Sequence, residues 1–127
     1  MPTFTTRELD IMTALWRVGP ATVGQVRDAL AADGIELAYN TVLTMLRILQ
    51  EKGHVAHEAE GRAHVYRSLV ARDEASRSAL TRLLDGLFDR SPEALLVHLV
   101  RDERLDRAAL ERLRALVDSE LASEGDA

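Results

Sequence analysis

Cysteine is absent from the 127 residues, which removes disulfide frameworks, thiol redox chemistry, thiolate metal sites and cysteine nucleophiles together. That absence suits a cytoplasmic protein. No apolar run approaches the roughly 20 residues of a membrane span. The opening Met1-Pro2-Thr3-Phe4 has no basic region followed by an apolar one, so the chain is expected to be soluble and not exported. Net positive charge is also lacking. Sixteen Lys and Arg stand against 21 Asp and Glu, for a formal charge of −5, so there is no overall pull toward nucleic acid or an anionic membrane, and any nucleic-acid site must be a local patch. The length allows one domain or two small ones and excludes a large multidomain enzyme.

Enzyme signatures are missing as well. There is no serine elbow, no phosphate-cradling glycine loop and no recognisable pair of catalytic carboxylates. No catalytic residue and no cofactor are expected. His54, His57 and His64 lie near one another in sequence, but no acidic residue stands at a standard ligand spacing from them, and no metal is expected. His98 sits among Leu95, Leu96, Leu99 and Val100 and reads as a packed or interfacial residue.

What is present begins with three amphipathic segments. Thr5 is followed three residues later by Glu8, a capping-box spacing, and Leu9, Met12, Leu15 and Trp16 then share a helical face until Gly19-Pro20 ends it. Thr22 and Gln25 repeat the start signal ahead of Val23, Val26, Ala29 and Leu30, and Asp33-Gly34 breaks that helix. The third segment runs from about Tyr39 to Lys52, with Val42, Met45, Leu46 and Leu49 three and four apart and Gly53 in the C′ position. The period then changes to alternation. Val55–Glu58 and Ala63–Leu69 are β-compatible runs around Ala59-Glu60-Gly61-Arg62, which predicts a hairpin. Three helices and a hairpin in this order match a winged helix-turn-helix domain, placed at residues 1–70.

Residues 71–127 read as helical throughout. Asp73–Phe88 carries Ala79, Leu80, Leu83, Leu84 and Leu87; Ser91-Pro92-Glu93 caps a helix bearing Leu95, Leu96 and Leu99; Asp106 caps a last one bearing Ala109, Leu110, Leu113, Leu116 and Val117. Ser119–Ala127 is expected to fray. A unit of about 50 residues cannot cover that much leucine alone, and the simplest partner is a second copy of the chain. The fold class expected is therefore mainly α with a small β-hairpin: a winged helix-turn-helix domain plus a C-terminal helical dimerisation region.

The polar face of the third segment offers Tyr39, Asn40, Thr41, Thr44 and Arg47, side chains able to reach base edges or phosphates, with no acid before Glu51. Such a face also suits plain solvation, and the helix by itself leaves both readings open. The hairpin favours DNA, because Arg62 at its tip and Arg67 on the return strand place cations where a wing would meet the backbone or minor groove. Residues 1–70 hold seven basic and eight acidic side chains, and residues 71–127 nine and thirteen. The negative excess is thus concentrated in the helical tail.

Leu9-Asp10-Ile11-Met12 with Leu15-Trp16, the run Tyr39-Asn40-Thr41-Val42-Leu43-Thr44-Met45-Leu46, Lys52-Gly53, and Gly61-Arg62 with Val65-Tyr66 resemble the penicillinase-repressor family of bacterial winged-helix transcriptional repressors, the BlaI, MecI and CopY type. The resemblance covers essentially the whole chain. It implies a homodimer that binds palindromic operator DNA and dimerises through its C-terminal helices. The helix carrying Asn40, Thr41, Thr44 and Arg47 would enter the major groove, flanked by a wing bearing Gly61 and Arg62. In β-lactam-responsive members a regulatory protease cuts an Asn-Phe bond in the C-terminal region; here the matching stretch reads Val97-His98-Leu99. Copper-responsive members use a C-terminal cysteine cluster, which this chain lacks. The family's commoner pattern has a basic residue where this chain has Ile48 and often a polar or basic one where it has Leu43. Leu43 would touch a thymine methyl or pack at the edge of the helix. The alternative function is a winged-helix protein-interaction module without sequence-specific DNA binding, which the net acidity and modest wing charge would suit.

Overall fold

The computed structural model describes residues 3–125. Six helices and a small sheet follow one another as α1 (Thr6–Val18), β1 (Ala21–Thr22), α2 (Val23–Ala32), α3 (Tyr39–Glu51), β2 (Val55–Glu60), β3 (Ala63–Ser68), α4 (Arg72–Leu87), α5 (Pro92–Arg101) and α6 (Arg107–Gly125). This is the mainly helical, winged-helix class expected. Two compact units divide at Leu80/Thr81, within α4.

Local chemistry explains the helix ends. Capping boxes are present at both predicted places. The Thr5 hydroxyl accepts from the Glu8 amide while the Glu8 carboxylate accepts from the Thr5 amide, and Thr22 and Gln25 do the same. At the end of α3, the amides of Gly53 and His54 donate to the carbonyls of Gln50 and Leu49. That paired closure requires a left-handed residue, and Gly53 supplies it at φ +82°. Ser91 and Asp106 cap α5 and α6 through the amides of Ala94 and Ala109. The last helix continues through Gly125, so fraying from Ser119 is not observed over the described residues; Asp126 and Ala127 lie outside them.

The sheet has the order β1-β3-β2, all antiparallel. Glu60 pairs with Ala63, which leaves Gly61-Arg62 as a two-residue turn. Turns of this length need positive φ at their first position, and Gly61 adopts φ +63°. The two-residue β1 was not predicted, because so short a strand carries no periodicity; only its pairing with Val65 and Tyr66 defines it.

In the first unit α1, α2 and α3 close over the sheet around Ile11, Met12, Leu15, Val26, Leu30, Val42, Leu46, Leu49, Val55 and Tyr66. Each such side chain contributes roughly 1.5–3 kcal/mol relative to exposure. Leu9, expected on the inner face of α1, is 44% exposed, and Ile11 is buried instead. Trp16 fastens α1 to the chain after β3 by donating from Nε1 to the Val70 carbonyl at 2.8 Å. Val70 and Ala75 also belong to this core, so the start of α4 belongs with the first unit.

The second unit differs in kind. No residue of α5 or α6 is buried. Leu87, Leu96, Leu116 and Leu121 are each more than half exposed.

Candidate nucleic-acid interface

Amphipathicity orients α3. Val42, Leu46 and Leu49 face inward, while Tyr39, Asn40, Thr41, Thr44 and Arg47 are exposed. The hairpin stands beside this outer face. Between them runs a groove of about 210 Å³ lined by Thr22, Val23, Tyr39, Leu43, Arg47, Arg62, Ala63, His64 and Tyr66. Two arginines and a histidine border it, and no carboxylate does. Leu43 is partly buried against the core, as expected of a residue packing at the edge of the helix, and it lines the groove as well. Ile48 is 37% exposed on the outer side of α3.

The structure therefore brings Tyr39, Leu43, Arg47 and Arg62 together, with Gly61 at the turn that presents Arg62. Asn40, Thr41 and Thr44 share the helix's exposed side. Arg67 is not part of the set. It follows buried Tyr66, and strand alternation places it on the other side of the hairpin, 4.0 Å from Glu58 and beside Pro20 and Val65.

Register also assembles a histidine pair. His57 pairs with Tyr66 and Ala59 with His64, so the two imidazoles stack with centroids 4.6 Å apart, and His57 Nδ1 donates to Gln50 Oε1 on α3. With Arg47, Glu51 and Tyr66 they line a second cavity of about 370 Å³, joining the wing to the last turns of α3. A two-residue turn at Gly61-Arg62 would have implied this register. Among the described residues no group of three or more His, Asp or Glu side chains can hold a metal ion.

Other basic groups are engaged in the scaffold. Lys52 Nζ donates to the buried Glu8 carboxylate at 2.9 Å. Burial pushes the Glu8 pKa upward, but the Lys52 hydrogen bond and charge and the Thr5 amide and hydroxyl outweigh it and hold the carboxyl below its ordinary value. Arg17 binds Asp33 at 2.7 Å, a hydrogen bond and charge that raise the guanidinium pKa further. Neither partner is adjacent in sequence, and periodicity carries no signal for such pairs.

A family model described as penicillinase repressor matches residues 4–119. The chain belongs to the penicillinase repressor family. The transcriptional regulator BlaI of Mycobacterium tuberculosis is 39% identical over 115 residues, covering 89% of this chain and 82% of that protein. The solution structure of the DNA binding domain of the repressor BlaI superposes with a TM-score of 0.50 at 27% identity, covering 57% of this chain and 88% of that one. Wild-type MarR from E. coli shares the fold, with a TM-score of 0.51 at 15% identity over 93% of this chain and 78% of that one. As a penicillinase repressor family member the chain is a transcriptional repressor and not an enzyme. No helix among the described residues is long and apolar enough to cross a membrane.

Proposed function

We propose that the chain represses transcription as a homodimer on palindromic operator DNA, with α3 in the major groove and the Arg62 turn on the flanking backbone. The observation that carries this reading is the carboxylate-free groove that joins Tyr39, Leu43 and Arg47 of α3 to Arg62 of the wing. Asn40, Thr41, Thr44 and Arg47 supply donors and acceptors for base edges, at roughly 1–3 kcal/mol of discrimination per good bidentate pair. Arg62 supplies charge to phosphates or the groove. The family's BlaI domain, named for DNA binding, supports the assignment, and family membership weighs against a protein-interaction module without DNA specificity.

Dimerisation is assigned to the helical residues 71–127 and DNA binding to residues 1–70, with the start of α4 packed into the first unit's core. The leucines expected to meet a partner are half-buried (Leu84, Leu95, Leu99) or exposed (Leu80, Leu83, Leu87, Leu96, Leu110, Leu113, Leu116), and a second copy would cover them. Two recognition helices related by a two-fold axis read half-sites about 34–36 Å apart. Release by a regulatory protease is the family's route in β-lactam-responsive members; in this chain Val97-His98-Leu99 lies within α5 and carries no Asn-Phe bond. Binding of duplexes with lengthened spacers tests the proposal. Five added base pairs rotate one half-site by about half a turn and are expected to abolish tight binding. A footprint indifferent to that insertion would show the domains binding independently.

A further inference from the structure

We propose that Arg27, on α2, is a further contact to the DNA backbone: Tyr39 holds its guanidinium beside the N-terminal end of α3, poised to take a phosphate. The inference rests on the DNA-binding reading and adds a residue that lies outside the groove. Of the cations in the first unit, Lys52, Arg17 and Arg7 are drawn to Glu8, Asp33 and Asp10 at 2.9, 2.7 and 3.1 Å. Arg67 stands against Glu58 on the far side of the hairpin. Arg27 is placed differently. Its Cζ lies 5.9 Å from the centroid of the Tyr39 ring, within the range of a cation–π contact. Its carboxylate neighbour is Asp28, at 3.4 Å and largely in solvent, a pair that water and salt screen.

Charge decides what the guanidinium has left to offer. A cation–π contact draws on its charge, and with one N–H directed at Asp28 its further N–H donors are left to match a phosphate. The same Tyr39 ring lines the groove with Arg47 and Arg62. Arg27 therefore extends the basic border of α3 onto α2, the helix that crosses the backbone in helix-turn-helix docking.

The test uses the full chain and a labelled duplex selected by the wild-type protein from a randomised library, with binding followed by anisotropy over a salt series. Arg27→Gln is expected to lower the salt slope by about 0.9 and to weaken binding about fivefold at physiological salt, in each case per bound protomer. Arg27→Lys should keep most of the slope. Asp28→Asn, which frees the guanidinium, should tighten binding. An Arg27→Gln protein that melts lower but keeps the wild-type slope would make the contact a staple between α2 and α3 only, and would overturn the inference. Should Arg27→Gln fail to fold, Asp28→Asn decides, and unchanged affinity overturns the inference. A reduced slope in Arg62→Ala with no change in Arg27→Gln removes Arg27 alone. A wild-type chain without salt-dependent binding removes the DNA reading itself.

Discussion

The two units spend their apolar residues in opposite ways. In the first, α1, α2, α3 and three strands enclose fully buried Ile11, Met12, Val26, Val42, Leu46 and Leu49, and among the described residues no buried side-chain nitrogen or oxygen lacks a partner. In the second, α5 and α6 bury nothing completely, although leucine recurs along both. Elements of similar amphipathic pattern thus reach different ends. Three helices and a sheet can surround a core, whereas α5 and α6, with no sheet to close against, leave their apolar stripes exposed. The first unit closes a core and presents a polar face; the second leaves apolar side chains exposed, the surface on which the proposed dimer would rest.

The sharpest way to break this contrast is to charge the uncovered stripe. Leu113→Glu combined with Leu116→Glu should give a monomer by light scattering. It should also cost about 10²–10⁴-fold in operator affinity, the gain normally derived from tethering two sites, with the circular dichroism of the first unit retained. A double variant that stays dimeric would move the interface elsewhere. Next in size, Leu46→Ala should destabilise the first unit by about 2–5 kcal/mol, with a denaturation midpoint independent of protein concentration. Leu116→Ala should instead produce a loss that shrinks as concentration rises, because its burial depends on association.

Within the first unit, the Glu8–Lys52 pair gives a smaller effect. The folded pKa of Glu8 is depressed, so its contribution is fully present above the ordinary carboxylate range and is lost as pH falls through the folded value. Glu8→Gln should cost about 1–2 kcal/mol near neutrality, and the difference from wild type should narrow as melting is followed down to about pH 3. A gap that stays constant with pH would mean that packing alone matters at this position. The smallest effect separates the two sides of the hairpin. Arg62→Ala should reduce the salt slope of operator binding by about 0.9 per protomer, and Arg67→Ala by less, since Arg67 stands beside Glu58 and away from α3. Equal reductions would show that DNA reaches both sides of the wing.

Whatever depends on neighbours three to five residues apart was legible beforehand. Both N-terminal capping boxes, Gly53 as the left-handed closure of α3, the hairpin around Gly61 and the caps at Ser91 and Asp106 are short-range hydrogen-bonding rules, and the chain obeys them. The exposed side of α3 followed from its 3.6-residue period, which placed Tyr39, Asn40, Thr41, Thr44 and Arg47 together. The same period could not choose between Leu9 and Ile11, because α1 meets other elements on an arc wider than one stripe. It was equally silent on β1, whose two residues exist as a strand only against β3.

The sequence by itself determined the capped starts of α1, α2, α5 and α6, the closure of α3, the hairpin and the candidate recognition face, because those follow from contacts made within a turn or two of the chain; the end of α6, which runs on through Gly125, was not among them. Only tertiary structure decided that Glu8 meets Lys52 across 44 positions, that Arg17 meets Asp33, and that Arg27 lies over Tyr39. Each of these depends on where separate elements come to rest against a shared core, and the pattern within any one element does not contain that information.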